Sequence, residues 1–150
     1  MAPSYRIEVM HGVNLNMLGR RDPTHYGTLT LLELERSISD HAASLALEVR
    51  FLQTNAEGEF IEHLHGLPGL ADGIVLNPGA WTHYSWAIRD ALEIAALPAV
   101  EVHLSDIKAR EPWRRTSVIE ELCVASISGK GVAGYKEALG TLRSVLEQQA

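Results

Sequence analysis

Five short apolar segments, each separated from the next by a polar loop or an amphipathic stretch, restrict the fold of this chain more than any other feature. They are RIEVM (6–10), VRFLQ (49–53), GIVLN (73–77), AVEVHL (99–104) and CVASI (123–127). In the first, Ile7 and Val9 share one face of a strand. GIVLN is almost wholly apolar, as expected of a strand covered on both faces. Between these segments the apolar period lengthens to that of a helix. Thr30 and Glu33 carry the signature of a capping box, and Leu31, Leu34, Ile38, Ala42 and Leu45 then fall on one stripe, predicting a helix over 30–45. A shorter helix runs from Glu57 to Gly66, a residue suited to a left-handed stop. Ile88, Ala91, Leu92 and Ala95 mark a third helix after PGAWTH. Tyr135, Ala138, Leu139, Leu142 and Leu146 mark the last, beyond a GKG turn.

Strands alternating with helices require right-handed crossovers and a parallel sheet with helices on both faces. The expected architecture is α/β, a flavodoxin-like doubly wound sheet of five strands in the order 2-1-3-4-5, forming a single domain over 1–150. The chain's 150 residues, 46% of them hydrophobic, suffice to bury about 70% of the unfolded surface. No apolar run reaches the roughly 20 residues of a membrane span, and MAPSYRIEVMHG lacks the basic start and apolar stretch of a secretion signal, so a cytoplasmic location is expected. The single cysteine, Cys123, has no partner for an intramolecular disulfide and is expected to be a buried residue of the fifth strand. A net charge of −6 argues against nucleic acid. Yet Arg20, Arg21, Lys108, Arg110, Arg114 and Arg115 make up six of the thirteen basic residues in two short segments, which suits a small anionic ligand.

In a doubly wound sheet, ligands sit beyond the carboxyl ends of the strands, at the switch point between strands one and three. The segments there are HGVNLNMLGRRDPTHYG, NPGAWTH and HLSDIKAREPWRR. The first has neither GxGxxG nor GxxxxGK[ST], so the phosphate cradle of a nucleotide site is missing. His63 and His65 are two apart on a helix, pointing to different faces, and read as solvated surface rather than metal ligands; no metal or other cofactor is expected. No GxSxG elbow is present for a nucleophilic serine. What remains is acid and base chemistry. Glu101 and His103 leave the same face of a strand, where the carboxylate can fix the imidazole tautomer and make His103 a proton donor; the pair also suits a histidine merely satisfied at a strand end. Arg110 and Arg114 share a face if their loop is helical and would then clamp an anion, although a solvated charge run has the same spacing. Tyr26 is a candidate base. An ordinary tyrosine is ionised only about one part in a thousand at neutral pH, so a tyrosinate requires nearby positive charge, for which Arg20 and Arg21 are in reach. A loop tyrosine that anchors by packing would look the same.

Together, LGRRDPTHYG (18–27), NPGAWTHYSWAIRDAL (77–92) and EVHLSDIKARE (101–111) resemble the motifs of the type II 3-dehydroquinate dehydratases, in the same order and spacing. The resemblance extends from RIEVMHG to about Tyr135. It implies a lyase that reversibly removes water from 3-dehydroquinate to give 3-dehydroshikimate by anti elimination through an enolate, without metal or cofactor. It also implies a role in the shikimate pathway of aromatic amino-acid biosynthesis, or in quinate breakdown. By the same resemblance Tyr26 is the base and Arg21 the residue that keeps it ionised. Asn14 helps to hold the water at the enolate oxygen, and His103, oriented by Glu101, protonates the departing hydroxyl. Asn77, His83 and Arg114 correspond to contacts with ring hydroxyls, Leu104 and Ser105 to the carboxylate site, and Arg110 to a second arginine on a mobile loop. Asp90 corresponds to a residue that reaches a neighbouring subunit's site, in a homo-oligomer of trimers gathered into a dodecamer.

This chain departs from the family pattern at three places. HGVN stands where the family reads NGPN, which brings His11 next to the site and removes a proline at Val13. REPW replaces REEF, placing Pro112 where it is tolerated as the first residue of a helical turn. SVIEELCVASISGKG introduces Glu120 and Glu121 into a stretch usually small and apolar. Two other readings compete with the dehydratase: a divergent member acting on another small hydroxylated carboxylate, and a non-catalytic assembly protein, which would have no need of Tyr26, Arg21 and His103 together.

Overall fold

The computed structural model describes residues 4–150; residues 1–3, the start of the segment read for a leader, lie outside the described residues. Five strands, β1 (Tyr5–His11), β2 (Leu47–Gln53), β3 (Gly73–Asn77), β4 (Ala99–His103) and β5 (Ala125–Ser128), form one all-parallel sheet in the order β2-β1-β3-β4-β5. This is the flavodoxin-like arrangement. A four-residue turn of helix, α1 (Pro23–Tyr26), precedes α2 (Leu31–Ser44); α3 (Glu57–Gly66), α4 (Trp86–Ala95) and α5 (Val132–Gln149) complete the layers. Alternation along the strands sorts the core. Ile7, Val9, Val100 and Val102 pack with Leu34 and Ile38 of α2 and Leu139 and Leu142 of α5. On the other face Met10, Ile74 and Leu76 meet Phe60 and Leu64 of α3 and Ile88 and Leu92 of α4.

The capping box forms as its residues predict: Thr30 Oγ1 accepts the Glu33 amide at 3.2 Å and Glu33 Oε1 accepts the Thr30 amide at 3.2 Å. Four expectations need correction. Gly66 is not the left-handed stop of α3; Leu67 keeps helical angles, Pro68 follows, and the positive φ falls at Gly69 (86°). Cys123 precedes the sheet, because Glu120–Leu122 forms a 3-10 turn and delays β5 to Ala125. Cys123 is half-buried at the edge of the α3/α4 core, and burial, with Glu101 and Glu120 nearby, pushes its thiol up to about 12. His63 is not a free surface residue, since its Nε2 lies 2.9 Å from Oε1 of the buried Glu8. His11 does not line the site. It shares the Ile7 and Val9 face, is fully buried, stacks on Phe51 (centroids 6.0 Å apart, planes 3°) and approaches Glu35 Oε2 at 3.4 Å.

Two glycines bring the ends of β1 and β3 together at the switch point. The Gly12 amide donates to the Asn77 carbonyl at 2.7 Å, and a Cβ at Gly12 would fall 2.3 Å from the Pro78 carbonyl oxygen. Gly79 has φ +66°, and a Cβ there would fall 2.6 Å from the Val13 carbonyl oxygen.

Candidate active site

A pocket opens beyond the carboxyl ends of β1, β3 and β4, where the strand order reverses. It gathers residues from all three polar segments. From the first come Asn14, Arg21 and Tyr26; from the second, Asn77 and His83; from the third, His103, Leu104, Ser105, Arg110 and Arg114.

Tyr26 is delivered by a local device rather than a featureless loop. Asp22 caps α1 through Oδ1, which accepts the Thr24 amide at 2.9 Å, Pro23 occupies the first helical position, and Gly27 ends the turn at φ 69°. The Tyr26 oxygen then receives two charge-assisted hydrogen bonds, from Arg21 Nη2 at 2.8 Å and Arg110 Nη1 at 2.6 Å. The Arg21 guanidinium also lies 3.7 Å from the ring centroid. Arg110 reaches Ser105 Oγ as well, at 3.3 Å. Of the two arginines beside Tyr26 in sequence, Arg21 makes the contact, and Arg20 is exposed. Burial and the charges of Arg110 and Arg114 pull Arg21 below the usual arginine value, against the opposing pull of Tyr26. Three guanidiniums around one small pocket repel one another, and an anion entering it relieves that repulsion.

The β4 end supplies the second titratable pair. Glu101 is fully buried, and its Oε2 lies 2.6 Å from His103 Nε2. A carboxylate only accepts, so Nε2 carries a proton and Nδ1 is the nitrogen left for the pocket. Burial would push the Glu101 carboxyl up; the hydrogen bond and charge of His103, joined by Thr82 and Ser117, outweigh it and hold the group below the ordinary carboxylate value. Thr82 Oγ1 donates to Glu101 Oε2 and Ser117 Oγ to Oε1 at 2.7 Å.

Asn77 and His83 complete the polar lining. Asn77 is buried at the end of β3; its Oδ1 accepts the Gly79 amide at 3.0 Å, and Nδ2 donates to Tyr135 Oη at 3.3 Å. One Nδ2 hydrogen stays available. His83 Nδ1 lies 2.7 Å from the Thr116 carbonyl, which must accept, so Nε2 is an acceptor in the neutral ring. Burial, reinforced by His103 and Arg114, outweighs the Thr116 bond and the Glu101 charge and lowers His83 from its ordinary value, which favours the neutral ring. Asn14 sits at φ 69° with its amide bonded to Asn55 Oδ1 at 2.8 Å, a left-handed position that asparagine tolerates. Pro112 opens the 3-10 turn Pro112–Arg115 at its first position, as its sequence context predicts. Arg110, in extended backbone just after the 3-10 turn Ile107–Ala109, and Arg114, within the turn Pro112–Arg115, share no helix and still converge on the pocket.

Two predicted site residues do not line the pocket: Glu101 is buried behind His103, and Asp90 is exposed on α4. Sequence reasoning missed the hydroxyls of Thr82, Ser117 and Ser126 around Glu101, and the Thr116 carbonyl under His83. Thr82 had a signal, since it adjoins His83 in the strand-end segment; Ser117 and Ser126 had none until the chain was folded. Among the described residues, no group of three or more His, Cys, Asp or Glu side chains is placed to hold a metal ion, and no helix is long and apolar enough to cross a membrane.

A family model described as Dehydroquinase class II matches residues 5–143. The chain is 48% identical over 144 residues to 3-dehydroquinate dehydratase 2 of Pseudomonas putida, covering 96% of this chain and 97% of that one. It is 50% identical over 145 residues to the 3-dehydroquinate dehydratase of Thermotoga neapolitana, covering 97% and 99%. The crystal structure of the type II dehydroquinase from Propionibacterium acnes superposes with a TM-score of 0.90 at 39% identity, covering 94% of this chain and 97% of that one.

Proposed function

The chain belongs to the class II dehydroquinase family, and from that premise we propose that it removes water reversibly from 3-dehydroquinate to give 3-dehydroshikimate. The observation that carries the mechanistic reading is the pair of guanidiniums on the Tyr26 oxygen. Two N–H donors, each on a fixed cation, meet this one oxygen and would stabilise negative charge on it while it acts as a base.

Tyrosinate Tyr26 takes the proton next to the ketone. The electron pair moves into the carbonyl and leaves negative charge on oxygen, where Asn14, through a water, stabilises the enolate. The enolate then collapses, its electrons form the ring double bond, and the carbon–oxygen bond of the leaving hydroxyl breaks. Imidazolium His103 gives the hydroxyl its proton from Nδ1, while Glu101 holds Nε2. Water departs, and Tyr26 and His103 are each left neutral. Base and acid come from different strand-end segments, which suits an anti elimination. The substrate carboxylate is assigned to Leu104 and Ser105, and the ring hydroxyls to Asn77, neutral His83 and Arg114.

Asp90 is assigned to a neighbouring copy's site in a homo-oligomer, of trimers gathered into a dodecamer. Supporting this, Asp90 lies between Trp86 (64% exposed) and Ile94 (66% exposed) at four-residue spacing on one face of α4. Solution mass measurement tests the assembly.

The activity itself is tested by the absorbance of the conjugated enone formed from 3-dehydroquinate. Absorbance that grows with enzyme concentration supports the proposal. A flat trace with wild-type protein defeats it.

A further inference from the structure

An ionised carboxylate offers about four lone-pair directions, and all four of Glu101's are filled. His103 Nε2 and Thr82 Oγ1 meet Oε2; Ser117 Oγ (2.7 Å) and Ser126 Oγ (3.3 Å) meet Oε1. Each hydroxyl has one hydrogen to give. Thr82 and Ser117 are also 3.2 Å apart, so the two hydroxyls form one cluster with the carboxylate, which can only accept.

Ser117 differs from the other two in what stands behind it. Its oxygen lies within reach of both carboxylate oxygens, 3.0 Å from Oε2 as well, and accepts the backbone amides of Ile119 at 3.3 Å and Glu120 at 3.1 Å. The preceding residue, Thr116, holds His83 through its carbonyl, and Arg114 lies two residues before that. One short segment therefore touches the ring-binding side of the pocket and the carboxylate behind His103.

We propose that Ser117 is a positioning residue for proton donation: it fixes the Glu101 carboxylate so that Oε2 faces His103, and it ties the substrate-binding segment at 114–117 to the orientation of that ring. The proposal rests on the reading of His103 as the acid. Without the Ser117 hydroxyl, Oε1 keeps only the longer contact from Ser126, and the carboxylate is held less firmly against turning about its last bond. Losing a donor to the charged form also makes Glu101 easier to protonate, which moves the acid-side loss of activity to higher pH.

The experiment compares Ser117→Ala and Ser117→Thr with the wild type in kcat, KM, the pH profile of kcat, and the carbon-13 titration of the Glu101 carboxyl. Ser117→Ala should lower kcat about tenfold with KM changed less than about threefold, and should raise both the acid limb and the Glu101 midpoint. Ser117→Thr, which keeps the hydroxyl, should restore all three. A Ser117→Ala enzyme with wild-type kcat, acid limb and Glu101 midpoint, differing only in melting temperature, would reduce Ser117 to a cap of the 119–122 turn and overturn the proposal. If Ser117→Ala does not fold, Ser117→Cys, of similar size with a weak donor, carries the same two outcomes. His103→Ala separates the premise from the proposal: unchanged turnover there removes the acid assignment, whereas the Glu101 titration still reports whether Ser117 holds the carboxylate.

Discussion

Replacing Arg110 by Gln removes one of the two cations that face the Tyr26 oxygen and leaves the other in place. The side chain is only 9% exposed, so its 2.6 Å bond to Tyr26 is little screened by solvent. A hydrogen bond to a charged partner is worth about 1.5–3 kcal/mol, and about 1.4 kcal/mol corresponds to a factor of ten, so kcat should fall about 10- to 150-fold. Arg21, still 2.8 Å from the same oxygen, preserves the rest. The loss should depend on the phenol. In a Tyr26→Phe background, Arg110→Gln should cost clearly less, because only the contact to Ser105 and the contribution to substrate binding remain to be lost. Enone formation from 3-dehydroquinate, measured at saturating substrate in the wild type, both single variants and the double variant, completes the cycle. Additive losses would show that Arg110 acts independently of Tyr26 and refute the reasoning.

Three further outcomes concern the scaffold and its titration. Phe60, fully buried and edge-on to Trp81 at 5.5 Å, should cost about 3–5 kcal/mol on replacement by Ala, read from urea unfolding; a loss below about 1 kcal/mol would contradict the packing. His83 and Glu101 both titrate lower in the fold than in the unfolded chain, so as pH falls the unfolded state takes up protons first. The His83 contribution is complete above about pH 6.5 and lost as pH falls through the lower folded value; that of Glu101 is lost likewise below the carboxylate range. Unfolding free energy should therefore decrease from pH 7 to pH 4, and an increase would contradict both assignments. Cys123, with its thiol pushed up to about 12, should react with thiol reagents at pH 8 far more slowly in the native protein than in urea. Equal rates would mean that it is not shielded.

The five apolar segments and the Thr30–Glu33 box were enough to anticipate the sheet order and the place of the pocket, because parallel strands with helical crossovers have few permitted connections. The same local signals misplaced the start of β5, since nothing in ELCVAS distinguishes a 3-10 turn from a strand. Gly66 failed as a stop signal because Pro68 already ends α3 and the left-handed turn could wait until Gly69. His11 was drawn to the site by its neighbours in sequence, yet strand alternation turns it toward Phe51 and away from the pocket. Spacing sufficed to pair Glu101 with His103, two apart on one strand, though not to separate a proton donor from a satisfied strand-end histidine. The bond from Arg110 to Tyr26 spans 84 residues and depends on how two strand-end segments meet, which periodicity does not encode. The hydroxyl cage of Glu101 was hidden for the same reason, being assembled from the segment after β3, the segment before β5, and β5 itself.

The central claim is that Tyr26 works as a phenolate held by two guanidiniums. Turnover of 3-dehydroquinate by Tyr26→Phe, set beside calorimetric binding of the substrate to the same variant, addresses it. The account predicts turnover lowered by at least about a hundredfold with binding retained. Wild-type turnover in the variant would contradict it.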